Sequence, residues 1–162
     1  MEFPSIQAGT AVAAIGAAAT VTGLLTAPMA AADPPVQPFG TSEQLVDGPL
    51  STSYTVTGLQ PSAASIPGFD PAGRLYQADV TARAVSGTIT PLVADFNARA
   101  GNSRTYRVVD TVPTPGGLSP APILQGDESS GRIYFDVTGE PPNGVVYNDG
   151  VQDVLIWTNQ AR

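Results

Sequence analysis

The sequence predicts an all-β protein: an immunoglobulin-like antiparallel β-sandwich of two sheets with about seven to nine strands. The chain contains 17 glycines and 16 prolines, which favours short elements joined by tight turns. Apolar and polar residues alternate in several segments, and turn residues recur roughly every eight to fifteen positions. Strands do not alternate with helical segments, so a parallel sheet is not expected.

The first 32 residues are interpreted as a signal peptide that is cleaved on export. Residues 8–25 carry no charge and are rich in alanine, and Ala30 and Ala32 are small residues of the kind that a signal peptidase pocket accepts. Cleavage is therefore predicted after Ala32, with Ala30 and Ala31 as alternative positions. Glu2 stands where a basic residue is usual. The other interpretation, a buried or membrane-spanning helix, is disfavoured because alanine, glycine and threonine contribute little to membrane insertion.

Residues 33–43 are predicted to be an extended, proline-rich lead-in, and residues 44–162 the sandwich domain. The prolines of the lead-in disfavour a helix and cannot pair within a central strand. Residues 53–59 and 74–85 then alternate with a period of two, as half-buried strands do. The predicted inward face of the second segment consists of Tyr76, Ala78, Val80, Ala82 and Ala84.

The middle of the chain contains the only helical signal after the leader. Thr90 followed by Pro91 has the pattern of a helix N-cap, so a short helical turn that includes Phe96 is predicted near residues 91–97. Residues 100–103 predict a turn, and residues 104–112 predict a strand with Tyr106 and Val108 facing inward. The proline-rich residues 113–122 cannot hold a strand ladder and are predicted to connect the two sheets over the surface.

The last third of the chain predicts a strand and a hairpin. In residues 131–138, Ile133, Phe135 and Val137 are placed inward, and Arg132, Tyr134 and Asp136 are placed on the opposite face. Residues 145–147 and 151–157 flank Asn148-Asp149-Gly150, in which Asp-Gly supplies the positive φ that a tight hairpin turn needs. Trp157, in the closing strand, is predicted to pack inside the sandwich in preference to forming a ligand platform.

The composition excludes several kinds of active site. The chain has no histidine, no cysteine and no lysine, and all 7 basic residues are arginines. Histidine-dependent triads, cysteine nucleophiles, Schiff-base lysines, and zinc, haem or iron–sulfur sites built on these side chains are therefore absent, and no cofactor is expected. The formal net charge of -7 repels phosphate backbones, so a nucleic-acid partner is not expected either.

Two groups of acidic residues are candidate sites. Asp127, Glu128, Asp136 and Glu140 could supply the paired carboxylates of a glycoside hydrolase, but an ordinary polar turn is the favoured explanation of the first two. Residues 148–153 contain oxygen ligands of the kind that calcium prefers, but they lack the spacing of an EF-hand loop, and the hairpin turn accounts for them. We therefore assign no catalytic, cofactor-binding or metal residue.

Short segments throughout the mature chain resemble a known family, the small secreted immunoprotective antigens of mycobacteria (the MPB/MPT type). The matching segments are 66–69, 72–73, 76–85, 87–91, 96–99, 106–108, 125–127, 131–139 and 153–157. The likeness extends over roughly residues 45–158. It implies an extracellular protein with an immunoglobulin-like sandwich that is antigenic to an infected host, and it supplies no catalytic residues.

The sequence therefore predicts a secreted immunogenic antigen that acts as a non-catalytic extracellular binding module. The expected partners are the host immune system and a host or cell-surface protein or glycan of unknown identity. The mature form is not expected to span a membrane. Two alternatives stay open, a carboxylate-based extracellular hydrolase and a structural protein of the cell envelope.

Overall fold

The structure, a computed structural model, describes residues 33–159 and forms a sandwich of two β-sheets. The strands are β1 (Val36–Pro38), β2 (Ser42–Asp47), β3 (Leu50–Pro61), β4 (Arg74–Ser86), β5 (Phe96–Ala100), β6 (Thr105–Arg107), β7 (Glu128–Val137), β8 (Pro142–Asn148) and β9 (Asp153–Thr158). One sheet has the order β1-β9-β8-β5-β6 and the other β2-β3-β4-β7. With nine strands in residues 33–159, the predicted all-β sandwich is confirmed. The predicted signal peptide, with Ala30 and Ala32, lies outside the described residues.

The core lies between the two sheets and uses the inward faces that alternation predicted. All five residues of the predicted inward face of β4 are buried, as are Tyr106 and Val108. Trp157 is fully buried, and its indole N–H donates to the carbonyl oxygen of Thr41 at 2.9 Å. The prediction that Trp157 packs inside the sandwich is therefore confirmed.

The outer face of the four-stranded sheet carries a second, smaller core that was not predicted. Tyr134, assigned to the outward face by alternation, is fully buried together with Ile66, Leu75 and Val109. Its hydroxyl donates to the carbonyl oxygen of Pro115 at 2.8 Å. Tyr134 therefore lies on the face that alternation assigned to it, but its burial was not predicted, because alternation shows which residues share a face and not that loops from elsewhere in the chain cover that face.

The predicted helical turn near residues 91–97 is shorter than its sequence pattern suggested. A single 3₁₀ turn spans Val93–Asp95, and Phe96 begins β5, which pairs with β8. Phe96 is fully buried in the main core. The prediction that Phe96 belongs to the helical turn was therefore wrong. Pairing of β5 with β8 directs the Phe96 ring into the core, whereas the residues of the 3₁₀ turn are not buried.

The two proline-rich segments occupy the margins of the sandwich. Residues 36–38, in the predicted lead-in, form β1, which adds parallel to β9 as an edge strand. Proline, which has no backbone N–H, is tolerated there because the outer side of an edge strand has no neighbouring strand to which an N–H would donate. Residues 113–122 connect β6 in one sheet with β7 in the other, as predicted, and Leu118 from this connection is buried in the main core.

The closing hairpin of β8 and β9 forms as predicted around Asn148-Asp149-Gly150, with Gly150 at φ +92°. The closing strand begins at Asp153, because Val151 and Gln152 belong to the turn. No helix in residues 33–159 is long and apolar enough to cross a membrane.

Candidate ligand-binding site

Three connections meet at one end of the sandwich: β2 to β3, β4 to β5, and β8 to β9. Antiparallel pairing places Ser51 beside Ser86 in one sheet and Asn148 beside Asp153 in the other, and residues in or next to all three connections line one shared cavity. A cavity of about 440 Å³ opens here between the two sheets, and we call it the end cavity. It is lined by Leu45, Val46, Asp47, Leu50, Thr52, Tyr54, Ile89, Thr90, Leu92, Asp95, Tyr147, Asp149 and Val154.

Two stacked tyrosines form the innermost wall of the end cavity. Tyr54 of β3 and Tyr147 of β8 are 2 % and 3 % exposed, and their ring centroids are 5.4 Å apart with an interplanar angle of 28°. Phe96 packs edge-on against both rings, at 5.4 and 5.2 Å. Such packing holds both hydroxyl groups in fixed positions.

Both tyrosine hydroxyls stay protonated at physiological pH. Burial raises the pKa of Tyr54 to about 12, opposed by a hydrogen bond from the Leu92 N–H and reinforced by the negative charge of Asp95. Burial also raises the pKa of Tyr147, and the interactions with Tyr54 and Asp95 raise it further. The end cavity therefore presents neutral hydroxyl groups, which can both donate and accept hydrogen bonds.

The mouth of the end cavity combines exposed apolar side chains with carboxylates. Val46 is 67 % exposed and Leu92 is 56 % exposed, and both line the cavity. The carboxylates are those of Asp47, Asp95 and Asp149, and none of the described lining residues is basic. The two ion pairs found in residues 33–159 join Arg99 to Asp153 and Arg132 to Asp79, so none of these three carboxylates has a paired cation there.

The four acidic residues weighed for glycoside hydrolysis are not brought together. Asp127 and Glu128 lie at the start of β7, whereas Asp136 and Glu140 lie at or beyond its other end. At about 3.3 Å per residue, the strand separates the two groups by roughly 30 Å. A glycosidase pair needs carboxylates roughly 5–10 Å apart. Neither of the first two can therefore form a glycosidase pair with either of the others.

Asp136 has a structural partner of its own. Its carboxylate accepts hydrogen bonds from the backbone N–H groups of Ala72 and Gly73, both at 2.8 Å, and ties the β3–β4 connection to β7. We expect Asp136→Ala to lower the free energy of unfolding in urea by about 1–2 kcal/mol, since charge-assisted bonds are lost. Glu128→Ala, at an exposed position, is the control and should change it by less than about 0.5 kcal/mol. Equal effects of the two variants would contradict the structural role of Asp136.

The oxygen atoms considered as calcium ligands are used within the hairpin. One carboxylate oxygen of Asp149 accepts from the N–H groups of Gln152 and Val151, both at 2.9 Å, and these bonds lower the pKa of Asp149. Asp153 pairs with Arg99 at 2.6 Å and accepts from the Asn148 amide at 2.8 Å. Within residues 33–159, no group of three or more acidic, histidine or cysteine residues is placed to hold a metal ion.

Sequence reasoning did not identify the end cavity. Tyr54 falls within the strand predicted over residues 53–59, Asp149 was considered only as a turn residue and a possible calcium ligand, and Asp47 and Asp95 were not singled out. The available signal was that Asp47 precedes Gly48-Pro49, a pair typical of turns, and that Asp95 and Asp149 lie within predicted turns. It became informative only once strand pairing had shown which turns lie at the same end.

Comparison with known proteins identifies the family. Residues 34–157 match the family described as a domain of unknown function, DUF1942. The chain belongs to the DUF1942 family. Two relatives are the immunogenic protein MPB63 of Mycobacterium bovis and the immunogenic protein MPT63 of Mycobacterium tuberculosis. Each is 40% identical over 151 residues, which cover 91% of this chain and 94% of the relative.

A solved structure supports the same assignment for this DUF1942 chain. The crystal structure of MPT63, a secreted protein of Mycobacterium tuberculosis, matches with a TM-score of 0.76 and 39% identity. The match covers 79% of this chain and 99% of that one. The resemblance to small secreted mycobacterial antigens, the sandwich fold and the secreted location are thereby confirmed.

Proposed function

We propose that this DUF1942 protein is a secreted, immunogenic and non-catalytic binding module, and that the end cavity with its apolar mouth is its binding site. The names of its relatives, immunogenic proteins MPB63 and MPT63, support a role as an antigen of an infected host. Connections at the end of a rigid sandwich are common binding surfaces, because they vary in sequence without disturbing the core. The end cavity lies among three such connections.

The observation that carries this proposal is the exposure of Val46 and Leu92 at the mouth of a cavity with a rigid aromatic wall. Large side chains exposed next to a concave, partly apolar site are typical of a binding surface. The lining supplies no histidine, cysteine or lysine, and its tyrosine hydroxyls are protonated. A binding role therefore agrees better with this site than covalent catalysis does.

The test compares the mature protein with Val46→Asp/Leu92→Asp and with the control Val36→Asp. Val36, on β1, is 49 % exposed and does not line the end cavity. All three proteins would be screened at micromolar concentration against arrays of host cell-surface proteins and glycans. We expect a ligand that the unaltered protein and Val36→Asp bind with the same affinity. The double variant should bind this ligand at least about 10-fold more weakly, because it loses two apolar side chains that the ligand would bury.

Two results would contradict the proposal. One is the absence of any ligand at micromolar concentration. The other is a ligand whose affinity is unchanged in Val46→Asp/Leu92→Asp, which would move the binding site elsewhere. Thermal unfolding of each variant verifies that a lost affinity does not reflect a lost fold.

A further inference from the structure

We infer that the end cavity takes a basic side chain, lysine or arginine, which a partner polypeptide presents between apolar residues. This inference rests on the proposed function and specifies the chemistry of the ligand at the same site. It is carried by three features of the cavity: its carboxylates, two of which are hydrogen-bonded and none of which has an ion-pair partner within residues 33–159, its apolar and hydroxyl-bearing walls, and the exposed side chains at its mouth.

The charge of the lining selects a cation. Asp47, Asp95 and Asp149 line one cavity with no basic residue among the lining positions, and neither of the two ion pairs in residues 33–159 involves them. Asp95 is partly buried, whereas Asp47 and Asp149 are exposed. A carboxylate between protein walls attracts a cation more strongly than one on an open surface, because less water screens it. An anionic ligand would meet three like charges here.

Basic side chains also occur close to the site, and their positions leave the cavity acidic. Arg99 and Arg107 line a separate depression on the outer face of the five-stranded sheet, next to Asp95. Arg99 is engaged by Asp153 at 2.6 Å. Neither arginine lines the end cavity. Asp95 therefore lines both the depression, which contains arginine side chains, and the end cavity, whose described lining residues include none.

The walls fit the rest of a long basic side chain. Leu45, Leu50, Ile89 and Val154 offer apolar surface for a methylene stem, which lysine and arginine bury while their charged ends remain hydrogen-bonded. The neutral hydroxyls of the two stacked tyrosines can accept from an ammonium or guanidinium group. A volume of about 440 Å³ lies within the range of small-ligand sites.

The mouth indicates that the cation comes from a polypeptide and not from a free amine. Val46 and Leu92 stand exposed around the opening, and Val151, 91 % exposed, follows Asp149 in the adjoining turn. A free amine that filled the cavity would leave these side chains in water. Apolar residues on either side of a basic residue would cover them, which is favourable in proportion to the apolar area buried.

The experiment titrates the mature protein with three short acetylated and amidated peptides that differ at one central position. That position holds arginine, neutral citrulline or glutamate, with leucine and valine on either side, and n-butylguanidine is titrated as the free cation. Calorimetry measures the affinity, and amide shifts of Leu92 and Tyr147 locate the binding. The variant is Asp47→Asn/Asp95→Asn. The matched control is Asp70→Asn/Glu140→Gln, which changes the net charge equally at two exposed positions near the opposite end.

We expect the unaltered protein and the control to bind the arginine peptide at least about 10-fold more tightly than the citrulline peptide. The reason is that a hydrogen bond to a charged group contributes more to the binding free energy than one to a neutral group. The aspartate double variant should lose most of this preference, and raising NaCl from about 50 to about 500 mM should weaken binding several-fold.

Each contrary outcome overturns a defined part of the inference. Equal binding of the arginine and citrulline peptides in the end cavity would overturn the cation and leave the binding module intact. Binding of n-butylguanidine as tight as that of the arginine peptide would overturn the polypeptide source. No binding of the arginine peptide at millimolar concentration would overturn the inference as a whole, whereas the proposed function is decided separately by the array screen with Val46→Asp/Leu92→Asp.

Discussion

Replacing Trp157 with alanine is expected to lower the free energy of unfolding by about 4 kcal/mol, a large share of the roughly 5–15 kcal/mol of a typical domain. Trp157 is fully buried in β9, where it joins the main core between the two sheets. Truncation leaves a cavity in this core and removes the donor that satisfies the Thr41 carbonyl oxygen at 2.9 Å. Urea denaturation followed by far-ultraviolet circular dichroism measures the loss.

Trp157→Phe separates packing from hydrogen bonding at the same position. Phenylalanine keeps most of the apolar volume but leaves the Thr41 carbonyl without its indole donor, so we expect a loss of about 2 kcal/mol. Because Trp157 does not line the end cavity, ligands of that cavity should bind folded Trp157→Phe as they bind the unaltered protein. A loss of less than about 1 kcal/mol in Trp157→Ala would contradict the core role.

Elements with strict alternation were the predictable part of the fold. The inward face of β4 alternates over its whole length because the sheet buries one face against its partner. β5 was not predictable in this way, since five residues that begin directly after a helical turn give too short a pattern. The burial of Tyr134 was hidden for another reason. The side chains that cover it come from residues 64–75 and 109–112, and alternation within β7 carries no information about them.

The candidate site was less predictable than the fold. Acidic residues close together in sequence, such as Asp127 and Glu128, attract attention, yet β7 holds that pair far from Asp136 and Glu140. The end cavity is assembled from residues 45–54, 89–95 and 147–154, which meet only through strand pairing and sheet packing. No local pattern in the sequence marks such a site.

Glu43 is a buried acid that joins the two sheets. It lies on β2 of the four-stranded sheet, it is only 8 % exposed, and its carboxylate accepts from the N–H of Ile156 on β9 at 3.2 Å. Burial raises the pKa of Glu43 from 4.5 to about 7, and the hydrogen bond from Ile156 opposes this shift only in part. The folded state therefore favours the protonated carboxyl, whereas the unfolded chain loses this proton at a lower pH.

The sign of the pH dependence follows from this shift. Between pH 4.5 and about 7 the folded state holds a proton that the unfolded state has released, so stability falls as pH rises through this window and then levels off. The full shift corresponds to about 3 kcal/mol, and because Glu43 lies near the margin of the sheet we expect about 2 kcal/mol after solvent screening.

Glu43→Gln should therefore be more stable than the unaltered protein by about 2 kcal/mol near pH 8 and about equally stable near pH 4. Glutamine keeps an oxygen that can accept from the Ile156 N–H but has no charge to desolvate. Urea denaturation across this pH range measures the difference between the two proteins, in which the titration of all other acids cancels. Glu128→Gln, at an exposed position on β7, is the control and should show no such pH-dependent gain. A Glu43→Gln advantage that is missing near pH 8, or that is equally large near pH 4, would show that burial of a charge at this position does not limit the stability of the sandwich.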